Sequence, residues 1–238
     1  MKKYVLNILI FTLFVNLSFS QNLDSLNISR INDTILSKYL NEKRPIEIQL
    51  PRSYGASPDK KYPLIVVLDG DYMFNIVAGS VDYLSYWGDI PENLIVGINQ
   101  KETRFKDSSV LDNITHTPIT STASFYDFIV NEVIPYFSKN YRISNFRVIL
   151  GQERTANFAN FFLLKKNPVF QAVISISPKM SKNMNSYLSE NLSKTNSKIV
   201  YTLSSSKKDF ESIYKNVSEL KNSLDSINNK NLKFESLI

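Results

Sequence analysis

The sequence predicts an α/β fold in which a mostly parallel central sheet is covered by helices on both faces, with antiparallel edge strands at its N-terminal side. Three observations carry this. Short, continuously apolar runs such as Leu64 to Leu68 (LIVVL) and Leu94 to Ile98 (LIVGI) recur along the chain and read as strands buried on both faces. Segments of helical period separate them at the spacing of strand-helix-strand units. Near the N-terminal end, Ile46 to Leu50 (IEIQL) instead alternates apolar with polar, as a strand with one wet face does.

In chain order, Met1 to Ser20 comes first, with Lys2 and Lys3, an apolar run from Tyr4 to Val15, and Ser18-Phe19-Ser20 ahead of Gln21. That is the pattern of a secretory signal peptide cleaved after Ser20, so the protein is expected to be exported, to a periplasm or outside the cell. The apolar run is too short to span a bilayer, and no later stretch reaches the roughly 20 apolar residues a membrane helix needs, so no membrane insertion is expected after cleavage. Residues 21–238 then form a single domain. The chain contains no cysteine, which excludes a lipidated N-terminal cysteine and any disulfide.

Leu23 to Leu40 is expected to supply the N-terminal edge strand, pairing with Ile46 to Leu50 through a turn near Asn41-Glu42. After the runs at Leu64 and Leu94, Val148 to Leu150, Ala172 to Ile176, Ile199 to Leu203 and Leu232 to Ile238 continue the sheet, and helices are expected at Tyr72 to Tyr86, Ser124 to Lys139, Thr155 to Lys165 and Phe210 to Ile227. Met73, Ile76, Val77, Val81 and Leu84 recur at helical spacing, so the aromatic cluster of Tyr72, Phe74, Tyr83, Tyr86 and Trp87 reads as core, with Tyr72 and Trp87 at the two ends as the candidates for facing a ligand. The formal charge of +6 falls to +4 without Lys2 and Lys3. Much of the excess lies in Lys/Asn/Ser-rich stretches such as Lys179 to Lys198, which read as solvated surface; no basic run interleaved with aromatics points to nucleic acid.

Ligands of open α/β sheets bind at the carboxyl ends of the strands, which directs attention to Asp69 to Tyr72, Asn99 to Thr117, Gly151 to Thr155, Ser177 to Lys182 and Ser204 to Asp209. Gly151-Gln152-Glu153-Arg154-Thr155 occupies the strand-turn-helix frame of a nucleophile elbow, G-x-S-x-G, with the first glycine kept and the serine and second glycine replaced. Thr155 is expected to crowd the strand-helix contact, and glutamate accepts a positive φ less readily than asparagine or glycine, so a relaxed elbow is expected.

Around this frame, Lys61 to Asp71 (KYPLIVVLDGD), Ile90 to Ile98 (IPENLIVGI), Phe125 to Ile129 (FYDFI) with Val133 to Phe137 (VIPYF), and Phe170 to Pro178 (FQAVISISP) follow one another as the landmarks of an α/β-hydrolase family do. From about Leu40 to Ile238 the chain resembles the family called Putative esterase, which includes esterase D-like enzymes, enterochelin esterases and feruloyl esterases. The resemblance implies an α/β-hydrolase fold, a histidine at the position of Gln152, the nucleophilic serine at that of Glu153, and oxyanion-hole amides from Arg154 and from the loop near Gly70 and Asp71. It also implies an acid after the Ile199 strand, for which Asp209 is the candidate here, and a histidine base in a loop after the final strand. That strand ends at Ile238, so the C-terminal end is expected to be truncated relative to the family and the base to be missing.

These departures have chemical consequences. A carboxylate at Glu153 is a poor acyl acceptor, and an anion there repels the oxyanion that neighbouring amides should stabilise. The single histidine, His116, precedes the nucleophile position, which does not fit the Ser, acid, His order of this fold; it reads as a loop residue at the pocket rim. Asp69-Gly70-Asp71 reads as a turn whose side chains bond backbone amides and not as a metal site, and no cofactor is expected. The sequence therefore favours a non-catalytic esterase-fold protein whose pocket takes a small ester, glycan or siderophore-like ligand, with Arg154 and Lys179 favouring an anion. An active carboxylic-ester hydrolase using non-standard residues or a missing C-terminal segment, and a structural or interaction protein with a closed pocket, are the alternatives.

Overall fold

The computed structural model describes residues 29–238; the expected signal peptide and the first part of the expected edge strand, residues 23–28, lie outside them. Eight strands form one sheet in the order β1-β2-β4-β3-β5-β6-β7-β8. β1 (Arg30–Ser37) and β2 (Glu42–Gln49) pair antiparallel through a turn that ends on Asn41 at φ 53°, and β2 pairs antiparallel with β4 (Leu94–Ile98). All other neighbours are parallel: β3 (Tyr62–Val67) with β4 and β5 (Ile143–Gln152), then β6 (Ala172–Ile176), β7 (Ile199–Ser204) and β8 (Leu232–Leu237). The sheet is thus mostly parallel with antiparallel N-terminal strands.

Side-chain alternation divides the apolar runs between two faces. Leu64, Val66 and Leu68 enter one core, while Ile65 and Val67 enter the other. The second face is covered by α1 (Gly70–Tyr86), through Met73, Phe74, Val77 and Ala78. The first is covered by α3 (Thr120–Phe128), α4 (Ile134–Asn140), α5 (Arg154–Asn160), α6 (Met184–Lys194) and α7 (Glu211–Asp225). In α7 the buried set is Ile213, Val217, Leu220 and Leu224, one stripe of a helix otherwise polar. A π-helical stretch, Ile129–Val133, joins α3 to α4 just ahead of Pro135. A proline there lacks an amide hydrogen and crowds the carbonyl one turn back, and the wider turn accommodates it.

The structure corrects three expectations. The face of α1 is narrower than its apolar spacing suggests: Ile76, Tyr83, Tyr86 and Trp87 are all at least 60% exposed, because an outer-layer helix contacts the sheet along one stripe only. Trp87 instead packs edge-on against Tyr83 and Tyr86. The stretch Lys179 to Lys198 is not simply solvated surface, since Met184, Leu188 and Leu192 of α6 are buried. A short helix, α2 (Arg104–Ser108), follows β4 where no helix was expected. Among the described residues, no helix is long and apolar enough to cross a membrane.

Candidate functional site

The turn between β5 and α5 holds Glu153 at φ 56° and ψ −105°, so the elbow is tight and the relaxed turn expected from the sequence is not found. The reason lies in where strand and helix touch. A Cβ on Gly151 would sit 2.5 Å from the carbonyl carbon of Thr155, so the close approach demands glycine at 151, not at 155. Thr155 is fully buried, and its branched side chain turns away from that contact. Its hydroxyl donates to Asp69 Oδ2 at 2.7 Å and accepts from the Gln152 amide at 2.9 Å. The Glu153 peptide is fixed from the neighbouring strand as well: its amide donates to the Ile176 carbonyl, and its carbonyl accepts from the Lys179 amide, both at 2.9 Å. A strained backbone persists when its surroundings over-determine it in this way.

The chief residue that sequence reasoning missed is Arg104, on α2. Its Nε donates to Asp69 Oδ1 at 2.8 Å, Nη1 to Glu153 Oε2 at 3.0 Å and Nη2 to the Gln152 carbonyl at 3.0 Å. One guanidinium thereby bridges the ends of β3 and β5. Burial works against its charge, but the Asp69 and Glu153 carboxylates outweigh that and hold its pKa above the ordinary arginine value. Asp69 is itself 1% exposed and spends its carboxylate on Arg104 and Thr155, with the Tyr72 hydroxyl more distant at 3.4 Å. These partners are side chains, not the backbone amides expected of a simple turn; only Asp71 behaves that way, accepting from the Gln100 amide. Tyr72 also donates to Gln152 Oε1 at 2.9 Å, and burial, reinforced by the Asp69 charge, pushes its phenol up to about 12.

Gly70 and Asp71 open α1, and Arg154 opens α5, so their amides belong to the first turns that a helix cannot satisfy internally. Among the described residues, none of the three donates to a protein acceptor. Gln152 and Glu153 line a groove of about 300 Å³ together with Ser177, Lys208, Asp209, Phe210 and Ile213. Asp209 therefore shares a groove with Glu153. Its Oδ2 accepts from Ser205 Oγ and the Ser206 amide. Burial tends to raise its pKa, but those bonds and one from Ser177 prevail and hold it below the usual carboxylate range. His116 lies elsewhere, at φ 56° in a loop where its amide donates to the Asp112 carbonyl; among the described residues it shares no hydrogen bond with Glu153 and does not line the groove.

The strain at Glu153 has a measurable consequence. Relief of a left-handed non-glycine backbone is worth about 1–3 kcal/mol. The Arg104–Glu153 pair, with side chains 28% and 33% exposed, contributes about 0–1 kcal/mol. A new glycine costs about 0.4–1 kcal/mol through the unfolded chain. We expect Glu153→Gly to stabilise the protein by about 1 kcal/mol, read as a higher urea midpoint. A lower midpoint would mean that the ion pair outweighs the strain.

A parallel sheet that feeds a tight strand-turn-helix elbow, beside a second set of free first-turn amides, defines an α/β-hydrolase fold. The family model Putative esterase matches residues 37–232, and the chain belongs to that family. Among solved structures, an uncharacterised protein from Capnocytophaga ochracea superposes with a TM-score of 0.78 at 23% identity, over 88% of this chain and 57% of its own. An IroE-like serine hydrolase from Shewanella oneidensis gives 0.73 at 23% identity, over 88% and 73% of the two chains. The enterobactin esterase FES from Shigella flexneri gives 0.67 at 19% identity, over 89% and 54%. This chain thus spans little more than half the length of the Capnocytophaga and Shigella proteins. At these identities the likeness is one of fold. No curated protein sequence matches the chain.

Proposed function

We propose that this protein is a non-catalytic homologue of the esterase family, a pseudo-esterase whose cleft binds a small ester, glycan or siderophore-like ligand without cleaving it. The observation that carries the proposal is Glu153 at the tip of the elbow, with its carboxylate paired to Arg104. Serine hydrolases need a neutral hydroxyl at that point, activated by a base. A carboxylate attacking an ester would form an anhydride, a product less stable than its reactant. Pairing with Arg104 lowers its nucleophilicity further, and its negative charge opposes an oxyanion at the nearby amides. Asp69, Arg104 and Thr155 instead make the elbow a structural junction. The groove of about 300 Å³ beside Glu153 favours ligand binding over a closed pocket.

The test is an assay with an activated acyl ester such as a p-nitrophenyl acetate. Purified protein should give no turnover above a heat-inactivated control, and Glu153→Ser alone should not restore it, since no histidine shares the groove. Saturable hydrolysis by the unmodified protein would overturn the proposal.

A further inference from the structure

A second cavity of about 170 Å³, which shares no lining residue with the Asp209 groove, is lined in part by Ser109, Arg154, Asn157, Lys179, Met180 and Ser181. Two of its lining residues are cations and none is an acid. We propose that this cavity is a subsite for a small oxyanion, the carboxylate, phosphate or sulfate group of a ligand lying across the elbow.

Hydrogen-bonding inventory supports the assignment. Asn157 is 3% exposed, and its Oδ1 accepts from the Ser181 amide at 2.9 Å. That bond fixes the orientation of the side-chain amide, because only the oxygen can accept. Its Nδ2, a donor, is left without an acceptor among the described residues. Ser181 Oγ is buried and, among the described residues, has no hydrogen-bond partner. A donor left without an acceptor on a nearly buried residue at a cavity wall is a group that a bound acceptor satisfies at little further desolvation cost. The guanidinium of Arg154 lies over the Phe105 ring, 5.5 Å from its centroid, and touches Ser109 Oγ only at 3.4 Å, so most of its N–H groups remain available. Lys179 is exposed and adds charge at the mouth. The nearest competing anion in sequence, Glu153, is paired with Arg104. A volume of 170 Å³ corresponds to about five or six water molecules, which accommodates a phosphate-sized group.

This inference adds an anionic group to the ligand proposed above, and its readout is binding, not turnover. Inorganic phosphate is titrated into the full chain by calorimetry, with sodium chloride holding the ionic strength constant, and acetate is titrated in parallel. Saturable binding of either ion at one site per chain is expected. Arg154→Gln and Lys179→Gln should each weaken it about tenfold or more. Asn157→Asp keeps the acceptor for the Ser181 amide but replaces the donor with a charge, and should abolish binding. Lys182→Gln, which changes an exposed lysine outside the cavity, should leave it unaltered. The proposal is overturned if neither ion gives heat beyond that of chloride, if the Arg154 and Lys179 variants bind as the unmodified protein does, or if Lys182→Gln weakens binding as much as Lys179→Gln. Should Asn157→Asp fail to fold, the Arg154 and Lys179 variants decide the matter alone. Ester turnover, if found, would remove the pseudo-esterase reading and leave this result standing.

Discussion

Asp107→Ala is expected to destabilise the fold by about 3 kcal/mol, and Arg44→Met by about 4–5 kcal/mol, the range for breaking a buried ion pair. The two side chains are 0% and 2% exposed, and Arg44 grips Asp107 with both Nη atoms. Asp107 also accepts from Thr103 Oγ1 at 2.7 Å and from Gln100 Nε2 at 3.3 Å. The two variants differ because their leftovers differ. Without Asp107, Arg44 keeps Glu42, the Asn99 carbonyl and the face of Phe125. Without Arg44, Asp107 keeps only neutral donors, and an unpaired buried carboxylate is the worse residue to strand. For a domain of this size the losses correspond to a melting temperature lower by about 6–20 °C. The double variant Arg44→Met/Asp107→Leu should recover most of the loss, since an apolar pair of similar volume replaces the charges. Single-variant losses under about 1 kcal/mol would show that the pair is not the anchor of α2.

That anchor matters to the site because α2 carries both Asp107 and Arg104. Gln100 extends the same framework: its side chain accepts from the Asp69 amide and donates to Asp107, while its own amide donates to Asp71. Arg104 therefore sits on a helix anchored by the buried Arg44–Asp107 pair, and it bonds Asp69 in the turn that follows β3.

The strands were legible because parallel strands buried on both faces leave continuous apolar runs, and every expected run lies in the sheet. The two missed helices leave weaker traces. In α2 only Phe105 is apolar, and it is 61% exposed, so no periodicity exists to read; tertiary ion pairing holds the segment. In α6 the stripe of Met184, Leu188 and Leu192 is a single line four residues apart in a polar stretch. At the site, the glutamate in the elbow could be read directly, but the elbow's geometry could not, because the steric constraint sits on Gly151 and not on the second glycine position. Arg104 left one usable signal. Asp69 and Glu153 both fall at strand ends, and two carboxylates brought together there require a nearby cation. Sequence does not say which of Lys101, Arg104 and Arg154 supplies it.

Gly151→Ala and Gly70→Ala are each expected to cost about 3 kcal/mol or more, at the upper end for overpacking, because backbone is what they strike. A Cβ at Gly151 would meet the Thr155 carbonyl carbon at 2.5 Å and oxygen at 2.6 Å; one at Gly70 would meet the Gly97 carbonyl carbon at 2.6 Å and the Ile98 nitrogen at 2.7 Å. Neither neighbour can rotate away as a side chain would. Gly97→Ala presses instead on the Phe74 ring, at 2.8 Å, and the ring can shift, so a smaller loss is expected there. Gly55→Ala, with nothing within 4 Å, should change stability by no more than about 0.5–1 kcal/mol and serves as the control. Urea denaturation of the four variants orders them, and a Gly151→Ala effect no larger than that of Gly55→Ala would remove the steric account of the elbow. The same two contacts set the approach of α5 to β5 and of α1 to β4. They thereby place the free amides of Arg154 and of Gly70 and Asp71 at the ends of adjacent strands. Glycines at 70 and 151 thus hold the elbow scaffold while Glu153 occupies its tip, so variants at 70 and 151 probe the packing separately from the chemistry of position 153.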